Sequence, residues 1–264
     1  MITISLDLLY SWINAFMWPF VRILAMIGAA PVLGESSIPA RVKVALAALI
    51  SVVVAPTLGP LPDIPPGSYT SILIVIQQVL IGIALGLVIR VAFAAVQTAG
   101  EFIGLQMGLS FASFFDPATG ANTAVLSRLM NIIAMLVFLA LDGHLILLSG
   151  VVNTFHILPI SAPPSLNPNG LGILFEWSAQ VMVAGMLLAL PLLIILLTIS
   201  LSMGILNRTA QQLSVFAVGF PVSLLVGLVL LAVVLPQTTP YLSQLFNESY
   251  EAAARMIYGF TPEN

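Results

Sequence analysis

Residues 71–91 read SILIVIQQVLIGIALGLVIRV, an apolar run in which Arg90 is the only charged residue. A run of about 20 apolar residues is long enough to cross a bilayer. In lipid the backbone N–H and C=O groups must be satisfied within the segment, so this run is predicted to be a helix. Five further runs of the same kind bring the predicted membrane helices to six: 8–33, 42–60, 71–91, 128–151, 178–206 and 213–236.

The composition of the whole chain points the same way. Its 264 residues are 60% hydrophobic and 6% charged, and its mean hydropathy is +1.14, whereas a soluble domain carries about 25% charged residues. These values exclude a soluble enzyme, a nucleic-acid-binding module and a disordered chain. The net charge of −3 also offers no basic surface for a nucleic acid partner. We predict an all-α, polytopic membrane protein that forms a single domain over residues 1–264 and ends in a tail over 237–264.

The basic residues predict how the helices are oriented. If the six helices alternate in direction, five basic residues fall on one side of the membrane: Arg41, Lys43, Arg90, Arg128 and Arg208. The loops on the other side, 57–70 and 152–177, contain no Lys or Arg, and only Arg255 in the tail departs from the pattern. By the positive-inside rule the side with five basic residues is cytoplasmic, so both termini are predicted to face outward.

Residues 92–127 connect two predicted helices but do not resemble a polar loop. Gly100, Gly104 and Gly108 recur every four residues, which on a helix places them on one face where another backbone can pack closely. Met107 lies among them and is a candidate for a deformable constriction. The stretch that follows carries clustered aromatic residues and a turn, with Phe111, Phe114, Phe115, Asp116, Pro117 and Gly120. Two interpretations stay open: a re-entrant hairpin that only packs the bundle, or a mobile constriction in a conduit.

Residues that carry chemistry are scarce. The chain has no cysteine and none of the common catalytic or phosphate-binding motifs, so we predict no catalytic residue, no metal site and no cofactor. Arg22, within the first predicted helix, is unusual because an intramembrane cation normally pairs or faces an aqueous cavity. The sequence does not identify its partner.

Two stretches resemble a known family. GEFIGLQMGLSFASFFDPATG at 100–120 and LNRTAQQLSVFAVGFPVSLLVGL at 206–228 resemble the signature regions of the FliR family. Its members are the R-type subunits of the flagellar type III export gate and are homologous to the T-type subunits of virulence secretion systems. Family members usually have Pro and Asn where this chain has Gln211 and Ser214. The resemblance extends over nearly the whole chain.

The resemblance implies a fold like a fusion of P-type and Q-type subunits, which are the expected partners in a closed, helical export channel. It also implies contacts with the B-type and A-type membrane proteins and with proximal rod proteins, and unfolded flagellar proteins as the exported substrates. The expected location is the bacterial inner membrane at the flagellar basal body. The stretch from Leu105 to Asn122 matches the family's luminal plug, which adds Leu105 and Gln106 to the candidate plug residues. Assembled gates of this family sit largely above the membrane plane.

Three functions compete at this point. The first is a non-enzymatic subunit that helps form and seal a protein-conducting gate. The second is a secondary transporter for a small molecule or ion, for which Arg22, Glu101 and Asp142 would be essential. The third, an intramembrane enzyme, lacks any nucleophile–base pair or metal-ligand set. The plug-like segment and the absence of internal repeats favour the gate subunit.

Overall fold

The computed structural model describes residues 6–59, 64–65, 67–109, 125–161, 165–209 and 218–262. Within these residues the regular structure is helical throughout. The α-helices are α1 Leu6–Ala29, α2 Ala40–Val54, α3 Tyr69–Gln106, α4 Val125–Ala140, α5 Gly143–Ile157, α6 Asn169–Ser178, α7 Gln180–Thr209, α8 Phe220–Val234 and α9 Thr238–Gly259. Short 3-10 helices occupy Val32–Gly34, Ala55–Thr57 and Leu235–Gln237.

The helices confirm the predicted fold class, an all-α polytopic membrane protein. Five helical stretches of the described chain are long and apolar enough to span a membrane: Tyr10–Ala29, Ala40–Thr57, Tyr69–Gln106, Asn169–Arg208 and Phe220–Gly259. A sixth arises if the bent pair formed by α4 and α5 counts as one span. The first span remains one helix although Pro19 lies inside it.

The helix predicted over 128–151 is two helices in the structure. α4 and α5 meet at an angle of 66°, because Asp142 adopts a left-handed conformation with φ of 55°. The carbonyl of Asp142 then accepts hydrogen bonds from the N–H groups of Leu145 and Ile146, at 2.9 and 3.0 Å, and starts the new helix. An Asp tolerates this conformation better than most residues, and Gly143 follows it.

Two other predicted boundaries also differ. The helix predicted to end at residue 91 continues to Gln106 and is 38 residues long, because no proline or turn residue interrupts it before that point. The predicted tail over 237–264 contains the 22-residue helix α9, Thr238–Gly259. Its lower hydropathy hid a helix whose polar and apolar residues lie on different faces.

Two compact units can be distinguished. The first consists of residues 1–91, 142–178 and 247–264. In it α1 and α3 pack closely, because Gly82 and Gly86 of α3 face the backbone of α1. A Cβ added at Gly86 would lie only 2.7 Å from the Ala30 nitrogen. Trp177 of α6 donates its indole N–H to the Val88 carbonyl at 2.9 Å, which ties α6 to α3.

The second unit consists of residues 92–141 and 179–246. Its core contains three buried phenylalanines from three helices: Phe93, Phe138 and Phe246. Their ring centroids lie 5.3 to 5.5 Å apart, in edge-on and tilted arrangements. Such aromatic pairs contribute about 0.5–1.5 kcal/mol each beyond the area they bury. The cluster holds the second half of α3 against α4 and the start of α9.

Candidate functional site

The second half of α3 ends immediately before the predicted plug stretch, and its termination has a recognisable geometry. Gly108 has a φ of +80°, which an L-residue with a side chain rarely adopts. The Leu109 N–H donates to the Gly104 carbonyl at 3.0 Å, and the Gly108 N–H donates to the Leu105 carbonyl at 3.0 Å. These two bonds define a Schellman motif, which satisfies the last carbonyls of a helix and turns the chain away from its axis.

The three glycines spaced four apart therefore do not share one helix face. Gly108 lies beyond the end of α3 and terminates it. Gly100 does pack closely on α4, because a Cβ added there would lie 2.5 Å from the Ser127 Cα. Gly104 leaves more room, since its nearest neighbour would be the Leu126 Cβ at 3.8 Å, an ordinary van der Waals distance.

Met107 is buried at the root of the stretch. None of its surface is exposed, and its side chain fills the space above Gly227 of α8. A Cβ on Gly227 would lie 2.6 to 2.8 Å from the Met107 Cγ, Sδ and Cε. Met107 thus occupies the space that a side chain at Gly227 would take.

The residues beside Met107 have different surroundings. Leu105 is 58% exposed, which is unusual for leucine in a folded core. Gln106 donates from Nε2 to the Ser200 hydroxyl of α7 at 3.2 Å. Six predicted plug residues lie outside the described part of the chain: Phe111, Phe114, Phe115, Asp116, Pro117 and Gly120.

Polar side chains line the packing between α3 and α4. Ser127 donates its hydroxyl to the Gln97 carbonyl at 2.7 Å. Gln97 donates from Nε2 to the Asn131 Oδ1 at 2.9 Å. Side-chain hydrogen bonds of this kind hold helices together in an apolar surrounding. Glu101, one turn after Gln97, is exposed.

A second polar cluster lies in the first unit, around Arg22. Its side chain is completely buried and bonds to neutral groups on two other elements. Nε donates to the Gln78 Oε1 at 2.7 Å, Nη1 to the Thr154 Oγ1 at 2.9 Å and Nη2 to the Leu158 carbonyl at 3.1 Å. The guanidinium carbon also lies 4.1 Å from the centroid of the Phe155 ring, a cation–π distance.

The cluster continues along α1. Asn14, Trp18 and Arg22 follow each other at intervals of four residues, so they share one helix face, and all three are buried. Asn14 donates to the Ile64 carbonyl at 2.9 Å. The indole N–H of Trp18 and the Gln78 Nε2 have no hydrogen-bond partner among the described residues.

Sequence reasoning identified Arg22 but not the residues that hold it. Gln78, Thr154 and Phe155 come from α3 and α5. The available signal was that Gln77 and Gln78 are a polar pair inside an otherwise apolar helix, which in a membrane segment indicates an internal partner. Among the described residues no group of three or more His, Cys, Asp or Glu side chains could hold a metal ion.

Comparison with known proteins gives one consistent result. Residues 13–249 match the model of the family described as bacterial export proteins, family 1. The chain is 47% identical to the flagellar biosynthetic protein FliR of Escherichia coli (strain K12) over 257 residues, which cover 97% of this chain and 98% of that protein. It is also 47% identical to the protein of the same name from Pectobacterium carotovorum over 247 residues, 94% of each chain. The corresponding Buchnera aphidicola (strain APS) protein is 39% identical over 250 residues, 94% of this chain and 95% of that one.

Proposed function

Because this chain belongs to the flagellar biosynthetic protein FliR family of bacterial export proteins, we propose that it helps form and seal the channel of the flagellar type III export gate. Family membership and its apolar helices make it an integral-membrane component of the flagellar export apparatus. The sealing role is the finer claim. In this proposal the chain is a non-enzymatic subunit, located in the inner membrane at the flagellar basal body.

The proposed partners follow from the same membership. P-type and Q-type subunits complete the channel with this chain, and the B-type and A-type membrane proteins and the proximal rod proteins adjoin it. Unfolded flagellar proteins are the substrates that pass through. A deformable apolar constriction suits such substrates, because an unfolded chain presents no fixed set of groups that a rigid polar pocket could match.

The observation that best supports a sealing segment is the fixed root from which it starts. α3 stops at the Schellman motif of Gly108, and Met107 is buried against Gly227. A constriction needs such an anchor, because a segment that must resist ions while yielding to a polypeptide has to return to one position. We assign Met107 the role of a positioning residue for the proposed plug, Leu105 to Asn122.

The first experiment removes the proposed plug. Deleting residues 110–119 in the co-expressed gate should leave the assembly intact but raise its ion conductance in planar bilayers. An intact deletion complex whose conductance stays at the wild-type background would refute the sealing role.

The second experiment tests the anchor without touching the plug stretch. Gly227→Leu should displace the Met107 side chain and raise ion leakage, while the double variant Met107→Ala with Gly227→Leu restores the volume and lowers leakage again. Gly204→Leu in α7 is the matched control, because a Cβ there meets nothing within 4 Å. If Gly227→Leu seals as tightly as Gly204→Leu, the anchor is wrong, whether or not the deletion leaks.

The alternative function, a secondary transporter, makes a different prediction. It requires stoichiometric uptake by the chain alone in liposomes, abolished by substitution of Arg22, Glu101 or Asp142. The structure gives Arg22 three neutral partners of its own, and a buried, fully engaged guanidinium favours a packing role over ion binding. A failure of uptake by the chain alone would remove this alternative.

A further inference from the structure

A groove runs along the junction of α1 and α3 in the first unit. It has a volume of about 510 Å³ and is lined by Val21, Leu24, Ala25, Gly28, Ala29, Val79, Ile83, Leu87 and Arg90. All of these residues except Arg90 are apolar or glycine. From this juxtaposition we propose that the groove binds one acyl chain of an anionic phospholipid, whose headgroup is bound by Arg90. The proposal does not depend on the sealing role described above.

The dimensions of the groove fit a single hydrocarbon chain. From Val79 to Arg90 the wall formed by α3 extends about 16 Å, at a rise of 1.5 Å per residue. Half of a bilayer's hydrocarbon core, which is the length available to one leaflet's acyl chains, is about 15 Å. The groove therefore runs from the level of the headgroups to the middle of the bilayer.

The cross-section argues against a helix from a partner protein as the occupant. The volume of 510 Å³, spread over about 16 Å, gives a mean cross-section of about 32 Å². An α-helix about 10 Å across occupies about 79 Å². The small residues of α1 are also already in use, because Gly82 and Gly86 of α3 pack on Ala25 and Ala29.

Arg90 gives the occupant its charge. Its side chain is exposed, and among the described residues no hydrogen bond or ion pair engages it. Arg90 is also one of the five basic residues on the predicted cytoplasmic side. Basic groups between membrane helices on that side recognise anionic lipid headgroups, so the charge and the apolar wall call for the two ends of one molecule.

Gly28 provides a direct way to close the groove. It lines the groove, and a Cβ added there would meet nothing within 4 Å. Gly28→Leu therefore fills the space without displacing the backbone of α1 or α3. Gly150→Leu is the matched control, since Gly150 lies on an exposed part of α5 with nothing within 4 Å of an added Cβ.

The test uses the full chain in its co-expressed assembly, in nanodiscs of phosphatidylcholine with a minor fraction of phosphatidylglycerol. Native mass spectrometry should show retained phosphatidylglycerol on the wild type and on Gly150→Leu, and its loss on Gly28→Leu. Arg90→Gln should lower the preference for phosphatidylglycerol about fivefold, the effect of one basic residue near a membrane surface. Equal retention by Gly28→Leu and Gly150→Leu would overturn the site, and an unchanged lipid preference in Arg90→Gln would overturn the headgroup assignment.

A second measurement keeps the proposal testable if Gly28→Leu does not assemble. A photoreactive amino acid at Leu24, in an otherwise wild-type chain, should crosslink to phospholipid. Crosslinks that go instead to another protein of the assembly would show that a polypeptide occupies the groove, and the proposal would be wrong.

Discussion

Replacing Gly100 by alanine tests whether close backbone packing holds the second unit together. The added Cβ would lie 2.5 Å from the Ser127 Cα, 2.8 Å from the Ser127 nitrogen and 3.0 Å from the Leu126 carbonyl oxygen. All three are backbone atoms of α4 or its first residues, so no side-chain rotation can relieve the contact. Ordinary contact begins near 3.4 Å, so α3 and α4 must separate by about 0.9 Å.

That separation has a calculable price in stability. The bond from the Ser127 hydroxyl to the Gln97 carbonyl, now 2.7 Å, would lengthen to about 3.6 Å, which is no longer a hydrogen bond. Its loss costs about 0.5–1.5 kcal/mol, and overpacking costs about 1–3 kcal/mol. Alanine returns about 1 kcal/mol through its higher helix propensity. The net expectation is a loss of about 1–3 kcal/mol in the free energy of unfolding.

Gly104→Ala is the control on the same helix, one turn later. Its Cβ would meet the Leu126 Cβ at 3.8 Å, so we expect no loss of stability and a gain of up to about 1 kcal/mol. The measurement is the unfolding midpoint of the purified, detergent-solubilised assembly in a denaturant titration. Equal midpoints for the two variants, or a higher one for Gly100→Ala, would refute the packing argument.

Three further outcomes are expected. Arg22→Lys keeps the charge but cannot reach three acceptors at once, so leaving one buried acceptor unpaired should lower the free energy of unfolding by about 1–3 kcal/mol in the same titration; a midpoint equal to wild type would contradict this. Gly108→Ala must hold a positive φ, which should cost about 1–2 kcal/mol, and an unchanged midpoint would mean that the helix does not end there. Because the chain has no cysteine, Ser36→Cys and Tyr69→Cys can be labelled without background in intact cells: an impermeant maleimide should reach only position 69, and labelling of both would show that α2 does not separate them.

The number of membrane helices could be predicted because a physical length fixes it. The hydrocarbon core is about 30 Å thick, so each crossing needs about 20 apolar residues whatever their order. The break at Asp142 could not be predicted from hydropathy, since one Asp–Gly step scarcely changes the mean of a long apolar run. The dipeptide was still a turn signal, and its weight becomes visible only when the left-handed backbone of Asp142 is known.

The candidate site shows a different limit. A spacing of four residues places Gly100, Gly104 and Gly108 on one face only while the helix continues, and the sequence does not say where it stops. Arg22 was recognisable as a buried cation, but its partners Gln78 and Thr154 lie 56 and 132 residues away. Packing brings them together, so no local pattern contains that information.

The same reasoning explains why glycine spacing alone misled. Three neighbouring helices approach the second half of α3 or its end, and each contact involves a glycine: Gly100 against α4, Gly185 of α7 against the Ala95 carbonyl, and Gly227 of α8 against Met107. Two of these glycines belong to the neighbours, where no repeat marks them. In an apolar surrounding, helices gain little from excluding water and associate through close contact and hydrogen bonds. The glycine that matters is therefore the one opposite a backbone or a buried side chain, on whichever helix it lies, and only the three-dimensional structure identifies it.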